Sequence, residues 1–201
     1  MMKVKEEKVK NKKTEKIPED LTFKNIMTDE LKAEMIFRSS LVFFFMVKLF
    51  ILMLLFLTFI KPKVPTSASM SPTVKVNDYM FFLKTTEKQQ LKRGNIVLFT
   101  LSTGDEIEYV KRVIGLPGEE VEVKENGDVY IDGKLLEEKY FNKLEIPMYG
   151  AGVTTVPENS YFLMGDNRYD SWDSRDFGAV NKKNILGKLI VNIPLSKLPW
   201  K

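Results

Sequence analysis

Glu106-Ile107-Glu108-Tyr109-Val110-Lys111-Arg112-Val113-Ile114 is the stretch that decides how the C-terminal part of this chain folds. Alternation places Ile107, Tyr109, Lys111 and Val113 on one face and Glu106, Glu108, Val110, Arg112 and Ile114 on the other. The pattern is that of a strand. One face is apolar except for Lys111, and the face carrying Glu108 and Arg112 is the wetter one. A lysine on a buried strand face loses hydration of its ammonium form, which lowers its pKa. Moving it from about 10.4 to about 7–8 takes roughly 4 kcal/mol at about 1.36 kcal/mol per unit. The alternative is a strand margin from which Lys111 snorkels to water.

Similar segments lie on both sides. Tyr79–Lys84, Asn95–Leu101, Glu119–Lys124, Asp128–Ile131 and Ser160–Met164 are rich in β-branched and aromatic residues. Arg93-Gly94, Thr103-Gly104-Asp105, the Gly115–Gly118 stretch, Asn126-Gly127 and Asp132-Gly133 separate them as turns. Asn126-Gly127 reads as a hairpin with a type I′ turn, which needs positive φ at both central residues. Residues 61–201 are therefore mainly antiparallel β. Met80-Phe81-Phe82-Leu83 lacks strict alternation, which fits two-sided burial better than contact with lipid.

Before this domain, Leu41–Ile60 is interrupted only by Lys48 and Thr58. Twenty residues at about 1.5 Å each make a helix of about 30 Å, the thickness of a bilayer's hydrocarbon core. Residues 39–60 read as one transmembrane helix, with Lys48 snorkelling to the near interface. A cleaved signal peptide would have a shorter apolar core nearer the N-terminus, and a soluble helix would seldom be apolar all round. Residues 1–38, with 10 basic and 8 acidic residues, read as a solvated, charged cytoplasmic tail. Lys24, Lys32 and Arg38 before the span balance Lys61, Lys63 and Lys75 after it, so local charge leaves the orientation tied. The whole tail's 10 basic residues, and the ease with which long C-terminal domains translocate, favour the N-terminus inside.

The 201 residues include 31 Lys and Arg, 27 Asp and Glu, and neither histidine nor cysteine. A Ser-His-Asp triad, a His-ligated zinc, a thiol nucleophile and a disulfide are all excluded. Acid–base chemistry near neutral pH falls to a carboxylate, lysine or tyrosine far from its reference pKa. The near-balanced charge of residues 61–201 gives no reason to invoke nucleic acid. No Gly-rich phosphate loop or internal repeat is present.

After the span comes Pro65-Thr66-Ser67-Ala68-Ser69-Met70-Ser71-Pro72-Thr73, in composition merely a loop. Beside a desolvated lysine it means more, because a neutral amine can take the proton of a serine hydroxyl where histidine is absent. Ser69-Met70-Ser71-Pro72-Thr73 resembles the serine box of type I signal peptidases, the membrane-bound proteases that remove signal peptides from exported proteins. Tyr109–Gly118 (YVKRVIGLPG) resembles their lysine box. Gly165–Arg175 (GDNRYDSWDSR) matches their G-D-N-R-x-x-S-x-D-S-R box at every fixed position.

The resemblance implies an antiparallel β catalytic domain with a Ser/Lys dyad, extracytoplasmic behind a single-pass anchor in the cell membrane. Ser69 would be the nucleophile and Lys111 the general base. Ser67 would support the oxyanion, Ser171 would orient the lysine amine, and Asp173 and Arg175 would form a supporting ion pair. Met70 and Tyr109 would flank the site, and Val110 would help form small pockets for substrate residues −1 and −3. No metal or cofactor is implied. Partners would be signal-peptide-bearing precursors and the lipid bilayer, with protein translocation machinery a further candidate. Ala68, Asn95 and Asn77-Asp78 depart from the commoner family pattern, and the short interval between Gly118 and Gly165 implies a second β region reduced to the Asn126-Gly127 hairpin. A repressor-type Ser/Lys autoprotease and a catalytically inactive membrane-tethered β adapter are the rival readings.

Overall fold

A computed structural model describes residues 23–85, 89–102, 107–141, 150 and 152–197. The Thr103-Gly104-Asp105 turn, Glu106 and the first 22 residues of the tail lie outside the described residues. The chain divides into two units, Met1–Leu54 and Leu55–Lys201.

Helix α1 spans Phe23–Phe59 and so begins within the segment read as tail. Its early turns carry the exposed pairs Lys32–Asp29 (3.2 Å) and Arg38–Glu34 (2.6 Å), at the spacings that bring side chains together on a helix face. From Leu41 onward its large apolar side chains are exposed, among them Phe43, Phe44, Leu52 and Phe56. The helix is long and apolar enough to cross a membrane.

The second unit is built on antiparallel strands. Strand β1 is Ile60–Lys63, β2 Tyr79–Lys84, β3 Ile96–Phe99 and β4 Tyr109–Gly115. They are followed by β5 (Glu120–Val123), β6 (Val129–Ile131), β7 (Lys134–Leu135), β8 (Gly152–Thr155), β9 (Ser160–Met164), the one-turn helix α2 (Ser174–Phe177), β10 (Val180–Asn181) and β11 (Ile185–Ile193). Seven strands form one sheet in the order β1-β2-β11-β3-β4-β9-β10, and four form a second in the order β7-β6-β5-β8.

The larger sheet is buried on both faces, which explains why its central strands show little polar alternation. Val97, Phe99, Val113, Tyr161 and Leu163 pack into one core. From the same strands, Ile96 and Leu98 join Met70, Val74, Met80 and Phe82 in another. Ile114, Phe162 and Met164 pack with Val121, Val123 and Val129 of the second sheet. Within β2, Met80 and Phe82 are fully buried while Phe81 and Leu83 are half-buried, so the strand does alternate in burial.

Several expectations are corrected. The Arg112 face of β4 is not wet: Arg112 is 8% exposed, and its neighbour Ile114 belongs to the core shared with the second sheet. That second region is a four-stranded sheet rather than one hairpin, because the chain returns through β8 to pair with β5. The Asn126-Gly127 hairpin is present, but only Gly127 is left-handed (φ 85°), and the Gly127 N–H donates to the Lys124 carbonyl at 2.9 Å. This is a type I turn followed by a left-handed glycine. Two consecutive positive φ values occur instead at Asp132 (50°) and Gly133 (75°), between β6 and β7.

The longest strand, β11, was not anticipated, because Gly187, Lys188 and Asn192 interrupt its apolar run. Gly187 is required where it stands, since a Cβ there would lie 2.9 Å from Phe82 Cβ and 3.0 Å from the Leu83 carbonyl oxygen. The sheet also curls. Four inter-strand steps separate β1 from β4, about 19 Å if flat, too wide for a lysine and a glutamate to close. Yet Lys61 and Lys63 of β1 both pair with Glu108, just before β4. The space between these two walls is the cleft described next.

Candidate active site

The Ser67–Thr73 loop and β4 face each other across a cleft of about 150 Å³, lined by Ser67, Ser69, Met70, Tyr109, Val110 and Lys111 among others. At its base Lys111 Nζ donates to Ser69 Oγ at 2.8 Å. Both residues are buried, Ser69 at 7% and Lys111 at 4% exposure, which excludes the snorkelling alternative for the lysine. Ser67 Oγ lies 3.3 Å from Ser69 Oγ.

Lys111 reaches this position because β3 holds β4 in register, Val97 opposite Lys111 and Ile96 opposite Arg112. Burial pushes its pKa down to about 8; the Asp173 charge pulls against that shift and the Arg175 charge adds to it. Among the described residues Nζ has one hydrogen-bond partner, Ser69, and no carboxylate within ion-pair distance. A buried amine in such surroundings can serve as a base in a chain without histidine.

The Gly165–Arg175 segment buttresses the Ser69 turn from behind. Asn167 N–H donates to the Ser69 carbonyl (3.0 Å), and its side-chain amide donates to the Ala68 carbonyl (3.3 Å). The Ser71 N–H also donates to the Ala68 carbonyl (2.9 Å), closing a tight turn around Ser69. With both carbonyls held, the Ser69 amide has no acceptor among the described residues. Gly165 permits the close approach: a Cβ there would lie 2.5 Å from the Ser69 carbonyl oxygen and 2.6 Å from Ser171 Cβ.

Asp173 is fully buried and central to this support. It accepts from Gly165 N–H (3.0 Å), Ser171 Oγ (2.8 Å) and a two-point Arg175 contact, Nε to Oδ1 at 2.8 Å and Nη2 to Oδ2 at 2.9 Å. Burial alone would raise its pKa; Arg175 and these hydrogen bonds more than offset that and hold it below the ordinary carboxylate value. The same carboxylate accepts the Arg175 N–H and caps α2. The Ser171 hydroxyl proton is directed to Asp173, and among the described residues no hydrogen bond joins Ser171 to the lysine amine it was expected to orient.

On the opposite face of β4, Arg112 binds both oxygens of Asp166 (Nε–Oδ1 2.8 Å, Nη2–Oδ2 2.6 Å) and donates to the Gly94 carbonyl at 2.8 Å. The Tyr140 ring covers its guanidinium at 3.9 Å. Burial and the neighbouring Glu138 raise the pKa of Tyr140 itself. Sequence reasoning named neither Asn167, Gly165 nor the Arg112–Asp166 pair as site-forming. Three of them stand in the G-D-N-R run, whose fixed positions were the available signal. Asn77, where a glycine is commoner, adopts φ 69°, a conformation asparagine tolerates better than most residues.

Comparison with known proteins shows the family to which the chain belongs. Residues 38–193 match the family model described as signal peptidase, peptidase S26. The chain is 41% identical over 137 residues to signal peptidase I S of Bacillus subtilis, covering 63% of this chain and 72% of that one. It is 35% identical over 190 residues to signal peptidase I P of Bacillus subtilis subsp. natto, covering 87% and 94%. A probable signal peptidase I-2 of Synechocystis is 37% identical over 131 residues, and there the match spans 62% of this chain but only 59% of the relative's length. A crystal structure of a signal peptidase I from Enterococcus faecalis has a TM-score of 0.43 at 35% identity, over 51% of this chain and 98% of that one. With the family model spanning most of its length, the chain belongs to the signal peptidase family, peptidase S26.

Proposed function

We propose that this chain is a membrane-anchored serine endopeptidase that removes N-terminal signal peptides from exported precursors, with Ser69 as nucleophile and Lys111 as general base. The observation that carries the reading is the 2.8 Å contact between a buried serine hydroxyl and a buried lysine amine that touches no carboxylate. Neutral Lys111 takes the Ser69 proton as Oγ attacks the scissile carbonyl. The Ser69 N–H and the Ser67 hydroxyl stabilise the oxyanion. The lysine ammonium then protonates the leaving amine, and a lysine-activated water hydrolyses the acyl-enzyme.

Substrate binding follows from the edges of β4. One edge pairs with β3 over residues 109–112, while β9 engages the other edge only from Arg112 onward. Residues 109–111 therefore keep an open edge beside the cleft, and an extended peptide can pair with it as an added strand. Met70, Tyr109 and Val110 would wall the small pockets for residues −1 and −3, which admit Ala, Gly or Ser. The helix α1 would anchor the enzyme with its N-terminus cytoplasmic and residues 61–201 on the far side. A substrate held by its own apolar helix is then searched for in two dimensions rather than three.

The test is cleavage of a precursor with Ala at −1 and −3 by wild type, Ser69→Ala and Lys111→Ala in detergent micelles. Loss of cleavage in both variants with unchanged circular dichroism supports the mechanism, and equal cleavage by all three sinks it. The same assay separates the rivals: an adapter cleaves nothing, and an autoprotease cleaves only itself.

A further inference from the structure

We infer that the Lys61–Glu108–Lys63 cluster is a charge-reading subsite that favours an acidic residue at substrate position −4; this rests on the peptidase reading above. Lys63 Nζ lies 3.0 Å from Glu108 Oε2, and Lys61 pairs with Oε1, so one carboxylate is shared by two ammonium groups. The cluster is part-buried, with Glu108 at 16% and the lysines at about a third side-chain exposure. Burial opposes the ionisation of Glu108, but the two lysines more than offset it and hold its pKa below the ordinary value. One positive charge is left over.

Its place in the cleft gives this surplus a role. Lys63 stands on the wall that leads from β1 into the serine loop, and Glu108 on the wall that leads into β4. Among the described lining residues the charged groups are Lys63, Glu108 and Lys111. The cluster therefore bridges the two walls of the cleft at Glu108, three residues before Lys111 in the chain. A peptide extended along β4 advances one residue per strand residue, about 3.3 Å each. For a peptide running parallel to β4 with residue −1 beside Lys111, the direction this subsite requires, three steps along the strand bring residue −4 to Glu108. An aspartate there meets the surplus ammonium charge, and a lysine there is repelled by it.

The experiment uses the full chain in non-ionic micelles, which exclude anionic headgroups, and three peptides identical except for Asp, Asn or Lys at −4. In wild type we expect kcat/KM to fall in the order Asp, Asn, Lys, with an Asp-to-Lys ratio of about fivefold that resides mainly in KM, the scale of a part-exposed ion pair. Lys63→Glu should reverse the order, and Lys63→Gln should bring the ratio close to one. Glu108→Gln should widen the preference for Asp. Each ratio is internal to one variant, so a general loss of activity does not mimic it. Equal kcat/KM for the three peptides in wild type, or an unchanged order in both Lys63 variants, overturns the subsite while leaving the peptidase intact. Failure of wild type to cleave even the Asn peptide overturns the peptidase reading and this one with it.

Discussion

Lys111 and Arg112 are consecutive residues on one strand, both cations, both almost wholly buried, and their surroundings are opposite in kind. Arg112 meets a carboxylate at two points, a backbone carbonyl and an aromatic ring. Lys111 meets a hydroxyl. The guanidinium ties β4 to the Gly165–Arg175 segment, whereas burial drives the amine toward neutrality, the state the proposed base requires. Burial by itself does not make a catalytic lysine. Burial with no touching counter-ion among the described residues gives Lys111 the lowered pKa that the proposed base needs, and the strand's alternation delivers the two residues to two such different faces.

The largest expected effects abolish this contrast at its functional end. Lys111→Arg should lower kcat/KM by about 10³-fold or more, like Lys111→Ala, because arginine does not give up its proton in proteins. At the structural end, Asp166→Asn leaves Arg112 buried without its counter-ion and should destabilise the fold by roughly 3–5 kcal/mol in urea unfolding. If the two substitutions instead had interchangeable consequences, the distinction between the faces would be lost.

Lys111→Met asks whether the unpaired amine burdens the fold. Its pKa is lower in the folded state (about 8) than the ordinary 10.5, so between these values the unfolded chain binds more protons and wild-type stability rises with pH. The burden is full below pH 8 and relieved above 10.5. Lys111→Met should therefore be the more stable protein by about 3 kcal/mol at pH 6, with the difference shrinking toward zero by pH 11 in parallel unfolding curves. Wild-type activity has the matching signature: kcat/KM should climb as pH rises through about 8, and a rise only near pH 10 would contradict the desolvated amine.

Two smaller effects sharpen the picture. Gly165→Ala pushes a methyl group toward the Ser69 carbonyl and should cost about 10²-fold in kcat, through misplacement of the nucleophile rather than loss of a reacting group. Asp173→Asn removes the charge that pulls the Lys111 pKa up and leaves Arg175, which pushes it down. The midpoint of the pH–rate profile should then move below that of wild type. A midpoint moving upward would show that Asp173 acts on Lys111 by some route other than its charge.

Local pattern alone carried the apolar run that becomes the second half of α1, the strands β2 and β9 to the residue, and the approximate course of β3, β4, β5 and β6. Helix and strand periodicity, glycine turns and the three boxes are properties of neighbours along the chain, and those survive without a fold. The absence of histidine and cysteine likewise narrowed the acid–base candidates to a carboxylate, a lysine or a tyrosine, and the alternation of β4 with the boxes singled out Lys111. What the chain's order could not convey was pairing across distance. Strand β11, threaded between β2 and β3, takes its length from partners that lie about 100 residues away in the chain. Tertiary structure alone decided that Arg112 is dry, that a second sheet covers its face, and that Asn167 grips the nucleophile's turn. It also decided the state of Lys111. A pKa depends on what surrounds the amine in space, and only the folded domain places Ser69 against it while keeping the described carboxylates out of contact.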